Sequence, residues 1–170
     1  MSIAAAISHV GSPLAMTILA FAGALTLVAL GEWLKLTGWV AAFSGASLID
    51  RWLKVVVHRP RPVYAARLLP HPTWSFPSGH AMGSLVGYGM LAYLLVLASH
   101  GKPSRQRSIV IVATTLILVI GITRLYLGVH YLSDVVGGYA AGLIWLATCI
   151  ALVELARHWN ERPLHLHPTS

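Results

Sequence analysis

Charge is what this sequence most lacks. Of 170 residues only 10% are charged, and only five are acidic; a soluble domain carries about 25% charged residues. With 56% hydrophobic residues and so little to hold it in water, the chain is read as a membrane protein. Cysteine is nearly absent too. Cys149 stands alone, which excludes an intrachain disulfide and reads as a small apolar residue inside a span. No internal repeat and no low-complexity tract is visible. The start, Met1-Ser2-Ile3-Ala4, has no basic stretch, so no cleavable signal peptide is expected. The length allows one domain over 1–170. The net charge of +7 is gathered at helix rims and in three short segments. That placement suits anionic lipid headgroups or phosphorylated substrates rather than nucleic acid.

A spanning helix needs about 20 apolar residues. Five segments qualify, so the expected fold is an all-α polytopic transmembrane bundle. They run from about Pro13 to Gly31, Thr37 to Val57, Ser78 to Ser99, Ser108 to Leu127 and Leu132 to Arg157. Met1 to Ser12 is too short to cross and reads as interfacial or disordered. Lys35, Lys102, Arg105, Arg107, Arg157 and Arg162 fall on one side of these spans, against Arg51, Arg59 and Arg67 on the other. The excess of basic residues marks the first side as cytoplasmic. Gly79, Gly83 and Gly87, and Gly138 and Gly142, recur every four residues, a spacing that lets helix backbones approach closely.

Three segments break the hydrocarbon, and all lie at the end opposite the basic rim. Lys54 ends the second span and Arg61-Pro62 follows it. Cations so near lipid are costly unless they snorkel or meet an anion. Asp50, one helical turn before Lys54, reads as its neutralising partner or that of Arg51. Pro77-Ser78-Gly79-His80 opens the third span. Ser78 is a good N-cap, Gly79 admits a ligand to the backbone, and a helix N-terminus favours an anion. Arg124 closes the fourth span. His130 and Asp134, four apart, would share one face at the start of the fifth, where a carboxylate on one imidazole nitrogen fixes the tautomer. A metal could use the same His/Asp pair, but the neighbours are cations and the other acids, Glu32, Glu154 and Glu161, lie at the far rim.

Together these residues resemble the three-part signature of the type 2 phosphatidic-acid phosphatase superfamily. That group also includes glucose-6-phosphatases, bacterial acid phosphatases and vanadium-dependent haloperoxidases. K-x6-R-P matches Lys54 to Arg61-Pro62, P-S-G-H matches Pro77 to His80, and S-R-x5-H-x3-D matches Thr123-Arg124, His130 and Asp134, with threonine in place of serine. Membrane members of the family typically have six spans, and five are visible here.

The resemblance implies a metal-independent lipid phosphatase with no cofactor. His130 would be the nucleophile forming a phosphohistidine, Asp134 its orienting carboxylate and His80 the acid and then base. Lys54, Arg61, Arg124, Ser78 and Gly79 would hold the phosphoryl oxygens. Expected partners are the bilayer and a lipid phosphate of the isoprenoid diphosphate, phosphatidic acid, phosphatidylglycerol phosphate or lipid A type. Nucleic acid is not expected. The expected location is a bacterial inner membrane, with the site facing the periplasm or exterior. A lipid-to-lipid phosphotransferase and a non-catalytic anion-binding transporter are the alternatives. The loop from Arg59 to Pro77, with Tyr64, Trp74, Phe76 and five prolines, reads as interfacial anchoring or as a semi-rigid lid.

Overall fold

The structure is a computed structural model that describes residues 3–63, 73–99 and 101–160. Among the described residues six helices follow in order: α1 (Ile3–Val10), α2 (Pro13–Ala29), α3 (Trp33–Val57), α4 (Gly79–Leu97), α5 (Pro103–Tyr126) and α6 (Leu132–Asn160). The described residues contain no strand. The sequence punctuates each helix. Ser12 caps α2, its Oγ accepting the Ala15 N–H at 3.2 Å, and Pro13 takes the first helical position, where a missing N–H costs nothing. Pro103 opens α5 in the same way, so that helix begins earlier than Ser108. Gly31, Gly101 and Gly128 have positive φ in the turns after α2, α4 and α5, a conformation that suits glycine.

The protein is an integral membrane helical bundle. Among the described residues four stretches are long and apolar enough to cross a membrane: 3–29, taking α1 and α2 together, and then α4, α5 and α6. The 25 residues of α3 would reach about 37 Å, but Lys35, Asp50, Arg51 and Lys54 make that helix more polar than the others. Its polar end is the one that faces the site. Leu14, Ile18, Phe21 and Leu25 on α2, Ile111 and Val112 on α5, and Leu143 and Ile144 on α6 point outward, as lipid-facing residues must in a bundle without a water-facing apolar cost.

Helix α4 is the centre, packed by α2, α3, α5 and α6. The buried core gathers Trp39, Met82, Val86, Met90, Leu146 and Cys149. Trp39 donates its Nε1–H to the Ala20 carbonyl at 2.9 Å, so the largest buried ring leaves no polar atom unpaired. A Cβ on Gly138 would sit 2.8 Å from the Ser78 carbonyl oxygen, and one on Gly142 would sit 3.3 Å from that of Met82. These glycines therefore bring α6 against the start of α4. The amino-terminal helix α1 packs on α5 and α2, with Tyr88 Oη donating to the Val10 carbonyl at 2.8 Å.

Candidate active site

One cavity of about 900 Å³ is lined by Lys54, Arg61, Gly79, His80, Arg124 and His130, and it continues between α2, α3 and α4 along Met16, Phe21, Phe43 and Val86. Ser78 and Asp134 stand behind its wall, fully buried. All eight residues singled out in the sequence therefore meet at one end of the bundle, although they come from α3, α4, α5, α6 and two connecting segments.

Each is held by its neighbours. Lys54 Nζ donates to Asp50 Oδ1 at 2.5 Å and to the Pro77 carbonyl at 2.9 Å, which ties α3 to the start of α4. Asp50 is thus the partner of Lys54. Arg61 donates to the carbonyl and Oγ1 of Thr73 through Nε (2.9 and 3.2 Å) and again to Oγ1 through Nη2 (2.9 Å). Its Nη1 donates to the Val129 carbonyl at 3.0 Å and lies 3.3 Å from His130 Nε2. Burial lowers the pKa of Arg61, with Asp134 and Asp50 opposing, yet a guanidinium remains charged. The Ser78 N–H donates to the Asp134 carbonyl at 2.9 Å, fixing the N-terminus of α4 against α6. The first N–H groups of a helix have no intrahelical acceptor, and Gly79 and His80 carry two of them on the cavity wall.

Two expectations need correction. Ser78 occupies the N-cap position, but its side chain caps nothing, and its buried Oγ has no protein partner. His130 and Asp134 do not share a helical face, because α6 begins at Leu132 and His130 lies in the turn before it. They meet for another reason. Asp134 reaches back to accept the Tyr131 N–H at 2.9 Å, the reciprocal half of a capping box, and this folds the turn over the carboxylate. Asp134 Oδ2 then lies 3.5 Å from His130 Nδ1, at the edge of hydrogen-bond range. The Phe76 ring packs toward Gly137 on α6. Trp74 is exposed, edge-on to His58 at 4.7 Å. Tyr64 lies outside the described residues.

The tautomer of His130 follows from Arg61, while Nδ1 makes no hydrogen bond of its own among the described residues. Arg61 can only donate, so Nε2 must accept; the proton then sits on Nδ1, facing the carboxylate. Burial, followed by Arg61 and Arg124, lowers the His130 pKa to about 4, against the pull of Asp134. The ring is neutral at pH 7 and presents the Nε2 lone pair toward the cations.

Sequence reasoning missed four residues. Arg59 pairs with Asp134 at 2.9 Å, Ser75 Oγ donates to Asp134 Oδ2, Thr73 orients Arg61, and Ser8 Oγ accepts from Arg124 Nη1 at 2.5 Å. Only Arg59 left a trace, as a second Arg-Pro beside Arg61-Pro62; the other three are ordinary hydroxyls until the fold places them. Among the described residues no three His, Cys, Asp or Glu side chains converge in a way that could hold a metal.

A polytopic membrane bundle with a cationic pocket at one end defines the class. The chain belongs to the PAP2 superfamily, whose family model matches residues 15–158. It is 36% identical over 102 residues to phosphatidylglycerophosphatase B of Bacillus subtilis (strain 168), which is 60% of this chain and 50% of that protein. The match therefore spans half the length of that curated relative. The crystal structure of a transmembrane PAP2-type phosphatidylglycerolphosphate phosphatase from Bacillus subtilis superposes with a TM-score of 0.78 at 29% identity, covering 89% of this chain and 75% of the other. Aquifex aeolicus LpxE shares the fold, with a TM-score of 0.65 at 23% identity over 87% and 83% of the two chains.

Proposed function

We propose that this protein is an integral-membrane lipid phosphatase working through a phosphohistidine. The observation that carries the reading is the orientation of His130, with Nδ1 toward Asp134 and Nε2 toward the cations that line the cavity. Nε2 would attack phosphorus as the P–O bond to the lipid breaks, and His80 would give its proton to the leaving oxygen. His80 would then take a proton from water as that water breaks the P–N bond, releasing phosphate and restoring neutral His130. An anionic phosphate beside His80 favours its protonated form for the first step. Lys54, Arg61, Arg124, Ser78 and the Gly79 N–H would hold the phosphoryl oxygens, most strongly as charge spreads in the transition state.

The apolar continuation of the cavity between α2, α3 and α4 suits a lipid tail. Together with the names of the two Bacillus subtilis relatives, it puts phosphatidylglycerophosphate first among substrates. Isoprenoid diphosphates, phosphatidic acid and lipid A type phosphates come after. The basic rim formed by Lys35, Lys102, Arg105, Arg107 and Arg157 lies opposite the site. That distribution supports a bacterial inner membrane with the site outward. The test is phosphate release by detergent-purified protein with EDTA present, over a panel of these lipids and a soluble phosphate ester. Release by wild type and none by His130→Ala supports the reading. Equal release by both removes His130 as nucleophile, and binding of phosphate without release from any of them returns the protein to the anion-binding class.

A further inference from the structure

Asp134 is wholly enclosed, and a buried carboxylate is tolerated only when it is paired and hydrogen-bonded. The one cation in that pairing comes from a residue outside the three motifs. Arg59, in the segment after α3, donates through Nη1 to Asp134 Oδ1 at 2.9 Å and to Ser133 Oγ at 2.6 Å. Its guanidinium lies over the Tyr131 ring, 4.3 Å from the centroid. The Arg59 carbonyl accepts the Ser75 N–H at 2.8 Å, and Ser75 Oγ donates to Asp134 Oδ2. The Arg59 guanidinium thus fixes Oδ1, while Ser75 Oγ and the Tyr131 N–H hold Oδ2. Unlike Arg61, two residues on, it does not line the cavity, and its Nη1 is committed to Asp134 and Ser133 rather than to phosphate.

We infer that Arg59 is a positioning residue, which holds the Asp134 carboxylate in the rotation that turns Oδ2 to His130 and offsets its charge so that the imidazole stays neutral and reactive. This rests on the reading of His130 as the nucleophile. The charged and titratable groups around His130 are Asp134 on α6, Arg61 and Arg59 in the segment after α3, His80 on α4 and Arg124 on α5. Asp50, paired with Lys54, faces Arg61. Asp134 is the one partner here that favours the imidazolium. Removing Arg59 strengthens its influence and subtracts a cation, and both changes push His130 toward protonation.

The experiment compares wild type, Arg59→Ala and Arg59→Lys in detergent. Two readouts are taken: the NMR titration midpoint of labelled His130, assigned with His130→Ala, and kcat and KM against pH for a lipid phosphate. Arg59→Ala should raise the His130 midpoint and the acid limb of kcat/KM by about one pH unit or more. It should lower kcat of the order of tenfold to a hundredfold, as loss of an orienting partner does, and leave KM within about twofold. Arg59→Lys, keeping a donor and a charge near Oδ1, should bring the midpoint back. An unmoved midpoint in a folded Arg59→Ala, or no recovery with lysine, overturns the proposal, as does a raised KM with kcat unchanged. If Arg59→Ala does not fold, Arg59→Gln, which keeps a donor near Oδ1 but removes the charge, should raise the midpoint in the same direction; no shift there also overturns it. Should the wild type release no phosphate, the functional reading fails while the midpoint still decides the role of Arg59.

Discussion

The two ends of the bundle handle charge in opposite ways. At the basic rim, Lys35 pairs with Glu32 and Arg157 with Glu154, each three residues away on the same chain segment and each about a third exposed. Such pairs neutralise their own neighbourhood, and exposed ones contribute about 0.2–1 kcal/mol. There the bond from Tyr93 Oη to Glu154, 2.6 Å long, reaches across from α4 to α6. At the other end, beside the local Lys54–Asp50 pair, three arginines find partners far apart in sequence. Arg59 meets Asp134, Arg61 meets the Val129 carbonyl and Arg124 meets Ser8, across separations of 75, 68 and 116 residues. Local pairs leave the fold indifferent to their geometry. Distant pairs fix several elements at once, and that is what a reaction needing placed groups requires.

The contrast can be broken most sharply at His130. His130→Ala should reduce phosphate release by at least about 10³-fold, since the nucleophile itself is gone, with the bundle intact by gel filtration. Asp134→Asn should cost about 10²-fold or more in kcat. The amide cannot stabilise an imidazolium as a carboxylate does, and it leaves Arg59 without its anion. Its thermal midpoint should fall as well, because a partner of a buried pair is left unmatched.

The pH dependence sharpens the same point. A histidine of ordinary pKa, near 6.5, would be mostly protonated at pH 5.5. With the His130 value lowered to about 4 by burial and by Arg61 and Arg124, the neutral ring persists there. After correction for substrate ionisation near pH 6 and for the protonation of the acid His80, kcat/KM should show no loss attributable to His130 from pH 7 to about 5, then fall as His130 protonates near pH 4. An acid limb near 6.5 would show that the cations do not act on His130 as placed.

Ser8→Ala removes one charge-assisted bond, worth about 1.5–3 kcal/mol in general. KM should rise about tenfold as Arg124 loses its anchor on α1, with little change in the acid limb. The smallest effect belongs to the far rim: Glu154→Gln should leave phosphate release within about twofold and lower stability by about 1 kcal/mol or less. A large loss of activity from that change would end the contrast between the two ends.

The sequence by itself determined the membrane class, the five long helices and the eight residues that gather at the site. Hydrocarbon length, proline and glycine punctuation and charge scarcity are local properties, and the three motifs mark their residues by spacing alone. The register of His130 and Asp134 was legible as proximity but not as mechanism. The spacing of four suggested a helix face, whereas a turn closed by the Tyr131 N–H brings the pair together. The tertiary structure alone decided what holds the site. Thr73, Ser75 and Ser8 carry no signature and Arg59 only a second Arg-Pro, because a hydroxyl or a rim arginine becomes a positioning group only when a distant element arrives beside it. It also decided the fate of α1, too short to span, which packs on α5 and delivers Ser8 to Arg124. Periodicity reports which face of a helix avoids water or polar neighbours. Which partner waits on that face depends on contacts between residues far apart in the chain, and only folding supplies them.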